Sequence, residues 1–113
     1  MKESELALAC DQLLDYRKNL GELLWFRLPC GDFFTKFGTR VRGNEEGTSD
    51  RVVIRWWYPL GAPNKGGTIV TFIEYKNEKG RQREAQKSFQ KMVEMMGCAY
   101  KIIRSTEELE EVL

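Results

Sequence analysis

Apolar residues recur at helical intervals near the start of the chain. They share one stripe of a helix and comprise Leu6, Cys10, Leu13 and Leu14. This pattern predicts an amphipathic helix over residues 4–19, with Gly21 as a stop signal. The short apolar run LLWFRL at 23–28 then predicts a buried strand. Residues 29–49 are rich in glycine without a clear period, so we expect an irregular or hairpin-like stretch there.

Two longer strands are predicted in the middle of the chain. RVVIRWWY at 51–58 and TIVTFIEYK at 68–76 are rich in β-branched and aromatic residues, and the turn-rich segment PLGAPNKGG joins them. We therefore expect a hairpin. Trp56 and Trp57 point to opposite faces of such a strand, so at least one of these rings is expected to be buried.

The remaining residues predict a helix, a strand and a helix. Residues 83–96 carry an apolar stripe of helical spacing, AYKII at 99–103 is typical of a strand, and Ser105 with Glu108 forms a capping box for a terminal helix. The stripe consists of Phe89, Met92, Val93 and Met96. The element order is α-β-β-β-α-β-α, which predicts a single α/β domain over residues 1–113 with a mixed central sheet.

Composition restricts the chemistry of this domain. The 113 residues include no histidine, which excludes Ser-His-Asp and Cys-His catalysis and metal sites built on imidazole. Hydrolytic chemistry would then depend on carboxylates, lysine and a hard metal ion bound through oxygen. Three widely spaced cysteines without a CxxC motif predict buried thiols in a reducing cytoplasm. No apolar run approaches the roughly 20 residues that a membrane span requires.

Charge is distributed unevenly along the chain. The net charge is +1, but residues 51–104 hold eleven basic and four acidic residues, a local balance of +7. Residues 105–113 hold four glutamates and no basic residue. This asymmetry weakly favours a surface that binds a polyanion such as nucleic acid, and the alternative is ordinary clustering of solvated charge.

Three charged residues are predicted to meet at the open end of the central hairpin. If Tyr58 pairs with Thr68, Asp50 lies opposite Lys76, and Glu74 shares a face with Lys76. A bulge or a slip in the register would change this arrangement. Two carboxylates and a lysine suit phosphodiester hydrolysis, because a Mg²⁺ or Mn²⁺ ion relieves carboxylate repulsion and lysine stabilises charge on the phosphate. The simpler alternative is a surface ion pair near a strand end.

Several short motifs together resemble one known family. In chain order they are KESEL at 2–6, GTSD at 47–50, IEYK at 73–76, KGRQREAQKSF at 79–89 and IIRS at 102–105. They resemble the small VRR-NUC domains of the PD-(D/E)xK nuclease superfamily. The resemblance covers nearly the whole chain and implies a restriction-endonuclease-like fold. Ser49 stands where that family usually has proline, and the 59–67 connector is longer than its usual tight turn.

The resemblance also assigns roles to individual residues. Asp50, Glu74 and the Tyr75 backbone carbonyl would be metal ligands for Mg²⁺ or Mn²⁺, and Lys76 would be the catalytic lysine.

Three further positions match the family outside this set. Gln86 matches a glutamine on the helix after the ExK strand, where it would be either a satisfied polar core residue or a group that supports the lysine. Glu3 matches the acidic residue of the first helix, with Glu5 as the alternative. Arg104 matches the arginine of the last strand and would be either structural or phosphate-facing. The other candidate phosphate contacts are Lys79, Arg81, Arg83, Lys87 and Lys91.

The function implied by the resemblance is that of a metal-dependent, structure-selective DNA endonuclease. The specific expectation is a Holliday-junction resolvase that acts in DNA repair and recombination. It would be of phage or prophage type and would act in the cytoplasm of a bacterial host. It would require neither a membrane nor an organic cofactor. A homodimer is expected, because a C2 dimer supplies two symmetrical cuts on a four-way junction. The alternatives are a flap or repair-type nuclease on branched DNA and a non-catalytic nucleic-acid-binding domain.

Overall fold

The computed structural model describes residues 1–113, and the predicted elements are present together with one extra hairpin. In chain order they are helix α1 (Glu3–Asn19), strands β1 (Leu23–Arg27), β2 (Asp32–Phe34), β3 (Arg40–Arg42), β4 (Arg51–Trp57) and β5 (Gly67–Tyr75), helix α2 (Glu84–Met95), strand β6 (Ala99–Ile103) and helix α3 (Thr106–Val112). A short 3-10 turn, Pro63–Lys65, lies in the β4–β5 connector. None of the helices combines the length and the apolar character needed to cross a bilayer.

The sheet is mixed, as the order of elements predicts. Its four strands run in the order β1-β4-β5-β6. β4 is antiparallel to both β1 and β5, whereas β6 is parallel to β5 and is reached through α2. Strands β2 and β3 form a separate two-stranded hairpin. The chain is therefore a small α/β domain with three α-helices.

The predicted register of the central hairpin is wrong by two residues. Thr68 pairs with Trp56 and not with Tyr58, and the pairing closes at Trp57 opposite Gly67. Beyond this pair, Gly66 lies so close to the Trp57 carbonyl oxygen and the Tyr58 side chain that an added Cβ atom would collide with both. Because the shift is an even number, every side chain stays on its predicted face of the sheet.

The core lies between the sheet and helices α1 and α3. Its buried residues are Leu6, Cys10, Leu14, Leu23, Val53, Ile73, Tyr75, Ile103 and Leu109. Helix α2 packs on the opposite face, where the Phe89 ring contacts Phe72 edge-on with 5.2 Å between centroids and lies 6.2 Å from Tyr100. Alternation along β5 thus separates a large apolar core from a smaller aromatic cluster under α2.

The face under α2 is only partly covered. Trp56 on this face is 55% exposed and Trp57 on the opposite face is 50% exposed, so the prediction that one of the two rings is buried is wrong. Helix α2 lies over β6 and the adjoining part of β5. It leaves Leu24 and Phe26 of β1 half-exposed on the same face as Trp56.

The three cysteines are free thiols in different surroundings. Cys10 is buried in the core as predicted, but Cys30 is exposed and Cys98 is only partly covered. Burial, followed by the neighbouring Asp11 charge, raises the pKa of Cys10 to about 11. Cys10 is therefore a packing residue, and the expectation of burial fails for Cys30 because it belongs to the exposed segment at residues 29–42.

Candidate active site

The candidate site lies where β5 ends and β4 begins. The Tyr75 N–H donates a hydrogen bond of 2.7 Å to Asp50 Oδ2, which fixes this carboxylate at the edge of the sheet. Continuing the observed register places Asp50 opposite Glu74 and not opposite Lys76, which corrects the predicted pairing. The two-residue shift nevertheless keeps all three charged residues at the same end of the hairpin.

Glu74 is buried, with one carboxylate oxygen bonded and the other free. Its relative exposure is 3%. Gln86 Nε2 donates to Oε1 over 2.5 Å, and Lys76 Nζ lies 3.8 Å from the same oxygen. Oε2 is buried without a hydrogen-bond partner. A buried carboxylate oxygen without a donor is unfavourable, so this atom is the least satisfied acceptor of the site.

The surroundings of Glu74 favour its neutral form. Burial is the main cause that raises its pKa to about 7, and the charge of Asp50 adds to it. The Lys76 ammonium opposes this shift but does not cancel it. The carboxyl group therefore titrates near neutral pH, and an additional positive charge beside it would favour the ionised form.

Gln86 is held in place by the start of α2. It is the third residue of the helix, and its Oε1 accepts a hydrogen bond of 2.8 Å from the Arg83 N–H. This contact caps the helix and directs the amide nitrogen toward Glu74. Gln86 is therefore a satisfied buried polar residue whose partner is the carboxylate and not the lysine.

The start of α1 lies next to Asp50, at the edge of the site. Glu3 borders a cleft of about 290 Å³ that it shares with Asp50, Arg51 and Tyr75. Glu5 instead accepts a hydrogen bond from the Lys2 N–H and caps its own helix. Of the two acidic candidates on α1, Glu3 is the one that borders the cleft.

A buried ion pair beneath the cleft was not predicted from the sequence. Arg51 Nε and Nη2 each donate to Asp11, at 2.9 Å to Oδ1 and 2.9 Å to Oδ2. The Tyr75 hydroxyl also donates to Asp11 Oδ1 at 3.1 Å, and Arg51 Nη1 donates to the Asp50 carbonyl at 2.9 Å. Burial lowers the pKa of Arg51, but the hydrogen bonds and charge of Asp11 more than offset this and raise it. The network links α1 to the Asp50 backbone and to the Tyr75 side chain.

One sequence signal for Asp11 does exist. It lies three residues before Leu14, which places it on the inward side of α1. A buried carboxylate on that side requires a partner, but the identity of Arg51, 40 residues away, depends on the folded sheet.

The predicted phosphate contacts form two groups. Most are exposed on the β5–α2 loop or on α2 itself, namely Lys79, Arg81, Arg83, Lys87 and Lys91. Lys87 Nζ pairs with Glu84 at 3.2 Å. Arg104 is different, because its Nη1 donates to the carbonyls of Asn77 and Gly80 at 2.7 and 2.8 Å. Of the two roles considered for Arg104, these contacts favour the structural one, which is to hold the loop after β5.

The acidic side chains fit a metal ion only in combination with backbone and water. No cluster of three or more histidine, cysteine or acidic side chains is close enough to hold a metal alone. The available ligands are Asp50, the unpaired Glu74 Oε2 and the Tyr75 carbonyl. The Tyr75 N–H donates to Asp50, and the N–H and carbonyl of one strand residue point to the same side, so the Tyr75 carbonyl also lies on the Asp50 side of β5. Oxygen ligands completed by water suit Mg²⁺.

Comparisons with family models, curated proteins and solved structures found no match to this chain.

Proposed function

We propose that the chain is a metal-dependent, structure-selective DNA endonuclease with a PD-(D/E)xK fold of the VRR-NUC type. The observation that carries this proposal is the buried, unpaired Oε2 of Glu74 beside Asp50. A cation at this point would satisfy the oxygen and relieve the repulsion between the two carboxylates. A simple ion pair with Lys76 accounts for Oε1 but leaves Oε2 without a partner.

Each residue of the site has a distinct part in the proposed reaction. Asp50, Glu74 and the Tyr75 carbonyl would hold Mg²⁺ or Mn²⁺, which when bound polarises the phosphate and lowers the pKa of water. Lys76, which is 8% exposed, would direct its ammonium group to the attacking water or to charge developing on the phosphate. Gln86 keeps the Glu74 carboxylate oriented.

The substrate that we propose is branched DNA, and a four-way junction above all. The exposed basic residues of the β5–α2 loop follow the candidate site directly, where they would contact phosphates without reading base sequence. Glu3 would border the reacting phosphate from the other wall of the cleft. Two symmetrical cuts need two active sites, so we also propose a homodimer.

A cleavage assay tests this function. Labelled four-way junction, flap and linear duplex are incubated with Mg²⁺, with Mn²⁺ or with EDTA. We expect metal-dependent paired nicks on the junction, and a loss of at least about 100-fold in Glu74→Gln and in Lys76→Met. Lys101→Met, which removes an exposed lysine from β6, is the matched control and should cleave normally.

The outcomes separate the alternatives. Cleavage of flaps without paired nicks would indicate the flap or repair-type nuclease. Binding of DNA without metal-dependent cleavage would indicate a non-catalytic domain. Full activity of Glu74→Gln would refute the proposed site.

A further inference from the structure

The β2–β3 hairpin, Asp32–Arg42, projects from the same end of the sheet as the candidate site. It is inserted between β1 and β4, whose last and first residues, Arg27 and Arg51, pair with each other. The Leu28 N–H donates to the Asp50 carbonyl at 3.0 Å, so the base of the hairpin is bonded to a residue of the site. Every residue from 29 to 42 is exposed.

The tip of the hairpin is closed by its own hydrogen bonds. Thr35 Oγ1 accepts from the N–H groups of Phe37 and Thr39, at 3.3 and 3.1 Å. The Gly38 N–H donates to the Thr35 carbonyl at 2.9 Å, and Gly38 has φ +81°, a conformation that favours glycine. The backbone on either side of the Phe37 ring is therefore held in one conformation and loses little further entropy on binding.

Two of the three phenylalanines on this hairpin are largely exposed to solvent. Phe34 is 70% and Phe37 is 85% exposed. Phe33 differs, because its ring packs against Gly43, where an added Cβ would lie 2.9 Å from Phe33 Cε2. Phe33 thus stabilises the base, whereas the other two rings are available to a partner.

The charge of the hairpin indicates which partner. Residues 31–43 hold three basic residues and one acidic residue, a balance of +2. Asp32 is paired with Arg40 at 2.7 Å, which leaves Lys36 and Arg42 unpaired. Lys36 Nζ lies 5.3 Å from the centroid of the Phe37 ring, so a cation accompanies the most exposed aromatic group. Flat rings beside free cations suit bases and phosphates, and they do not suit a second copy of the same basic hairpin.

We propose that this hairpin binds unstacked nucleotides at a DNA branch point, with bases on Phe34 and Phe37 and phosphates on Lys36 and Arg42. The proposal rests on the nuclease function proposed above and names the element that selects branched DNA. A continuous duplex offers no free base face, whereas a branch does. The connection through Leu28 and Asp50 would then place the branch next to the cleavage site.

Binding measurements on the full chain test this role. In the Glu74→Gln background with EDTA, fluorescence anisotropy gives the Kd for a four-way junction, a fork and a linear duplex. We expect Phe34→Ser/Phe37→Ser to weaken binding to the junction and fork roughly 5- to 100-fold and to the duplex less than about twofold. Phe37→Trp should retain the affinity for branched DNA. Leu60→Ser, at a fully exposed residue of the β4–β5 connector, is the control.

Crosslinking supplies a direct readout. 5-Iodouracil at the branch point should crosslink to Phe34 or Phe37 on irradiation, and the same base within the duplex arm should not.

Unchanged junction affinity in the double variant, or equal weakening on all three DNAs, would overturn the hairpin role while leaving the cleavage function intact. Loss of self-association without loss of branch preference would show that the hairpin is a protein interface instead. If the unmodified chain neither binds nor cleaves DNA, both proposals fail together.

Discussion

Gln86 and Glu74 form the shortest side-chain contact of the candidate site, with 2.5 Å between Gln86 Nε2 and Glu74 Oε1. The other oxygen of the same carboxylate is buried and unpaired. Gln86 also caps α2 through the Arg83 N–H. The start of the helix therefore determines which way the Glu74 carboxylate faces, and the free oxygen points away from the amide.

Gln86→Ala should impair the site without unfolding the domain. Loss of the amide lets the Glu74 carboxylate rotate, so we expect metal affinity and cleavage to fall roughly 10- to 100-fold. Gln90→Ala is the matched control, because Gln90 lies one turn later and accepts a hydrogen bond from Gln82 at the edge of the site. Calorimetric metal titration and the junction assay measure both effects. Equal losses in the two variants would contradict a specific role for Gln86.

The titration of Glu74 should make both stability and metal binding depend on pH. The pKa of this group is about 7 in the folded chain and 4.5 in its ordinary state. The folded chain thus binds the Glu74 proton more tightly than the unfolded chain does. The stabilising contribution of this proton is lost as pH rises from about 4.5 through 7. Without metal, this amounts to roughly 3 kcal/mol of unfolding free energy, and Glu74→Gln should remove that dependence.

Metal binding should show the opposite trend, because a metal requires the ionised carboxylate. Below pH 7, titration with Mg²⁺ in buffers of different ionisation enthalpy should reveal release of up to about one proton per ion. Glu84→Gln, which alters an exposed carboxylate, should leave both pH profiles unchanged. A Glu74→Gln variant with the same stability profile as the unmodified chain would show that Glu74 titrates normally.

The sequence was sufficient to bring Glu74, Lys76 and Asp50 to one edge, because strand alternation puts Glu74 and Lys76 on one face and the antiparallel hairpin brings Asp50 to the same end. An even shift in register does not alter the face on which a side chain lies. Helical spacing likewise predicts that Gln86, three residues before Phe89, lies on the inward side of α2. These features follow from local periodicity and are robust to errors in pairing.

Features that depend on tertiary contacts were not predictable in the same way. The register is a property of two paired strands and not of either segment alone, and the partner of Asp11 comes from another element. The exposure of Trp56 arises because α2 covers only part of one sheet face, which no single segment reveals. Residues 29–49 lack a period, so an irregular or hairpin-like stretch was expected there but the bounds of strands β2 and β3 were not.

Removing one partner of the Asp11–Arg51 pair should strongly destabilise the domain. Asp11→Asn leaves the Arg51 guanidinium, only 16% exposed, without its carboxylate, and we expect a loss of about 3 kcal/mol or more in unfolding free energy. Asp15→Asn, which affects the hydrogen bond from Trp25 Nε1 to an exposed carboxylate on the same helix, should cost about 1 kcal/mol. Denaturant unfolding of both variants measures the difference. Equal costs would show that leaving Arg51 without its carboxylate is no more harmful than the loss of an exposed contact.

The half-exposed sheet face should be the contact surface of the proposed homodimer. Leu24, Phe26 and Trp56 lie together on the face that α2 leaves uncovered, with exposures of 51, 52 and 55%. Burying these side chains against a second copy would stabilise a dimer through the hydrophobic effect. A charge on this surface should raise the dissociation constant at least about tenfold.

Sedimentation equilibrium of Phe26→Glu tests this surface, and we expect a dimer for the unmodified chain and a monomer for the variant. Leu8→Glu, at a residue of α1 that is 62% exposed on the other side of the sheet, should remain dimeric. A dimeric Phe26→Glu variant would assign the interface elsewhere. A strictly monomeric unmodified chain would argue against paired cleavage of a four-way junction, since one copy carries one candidate site.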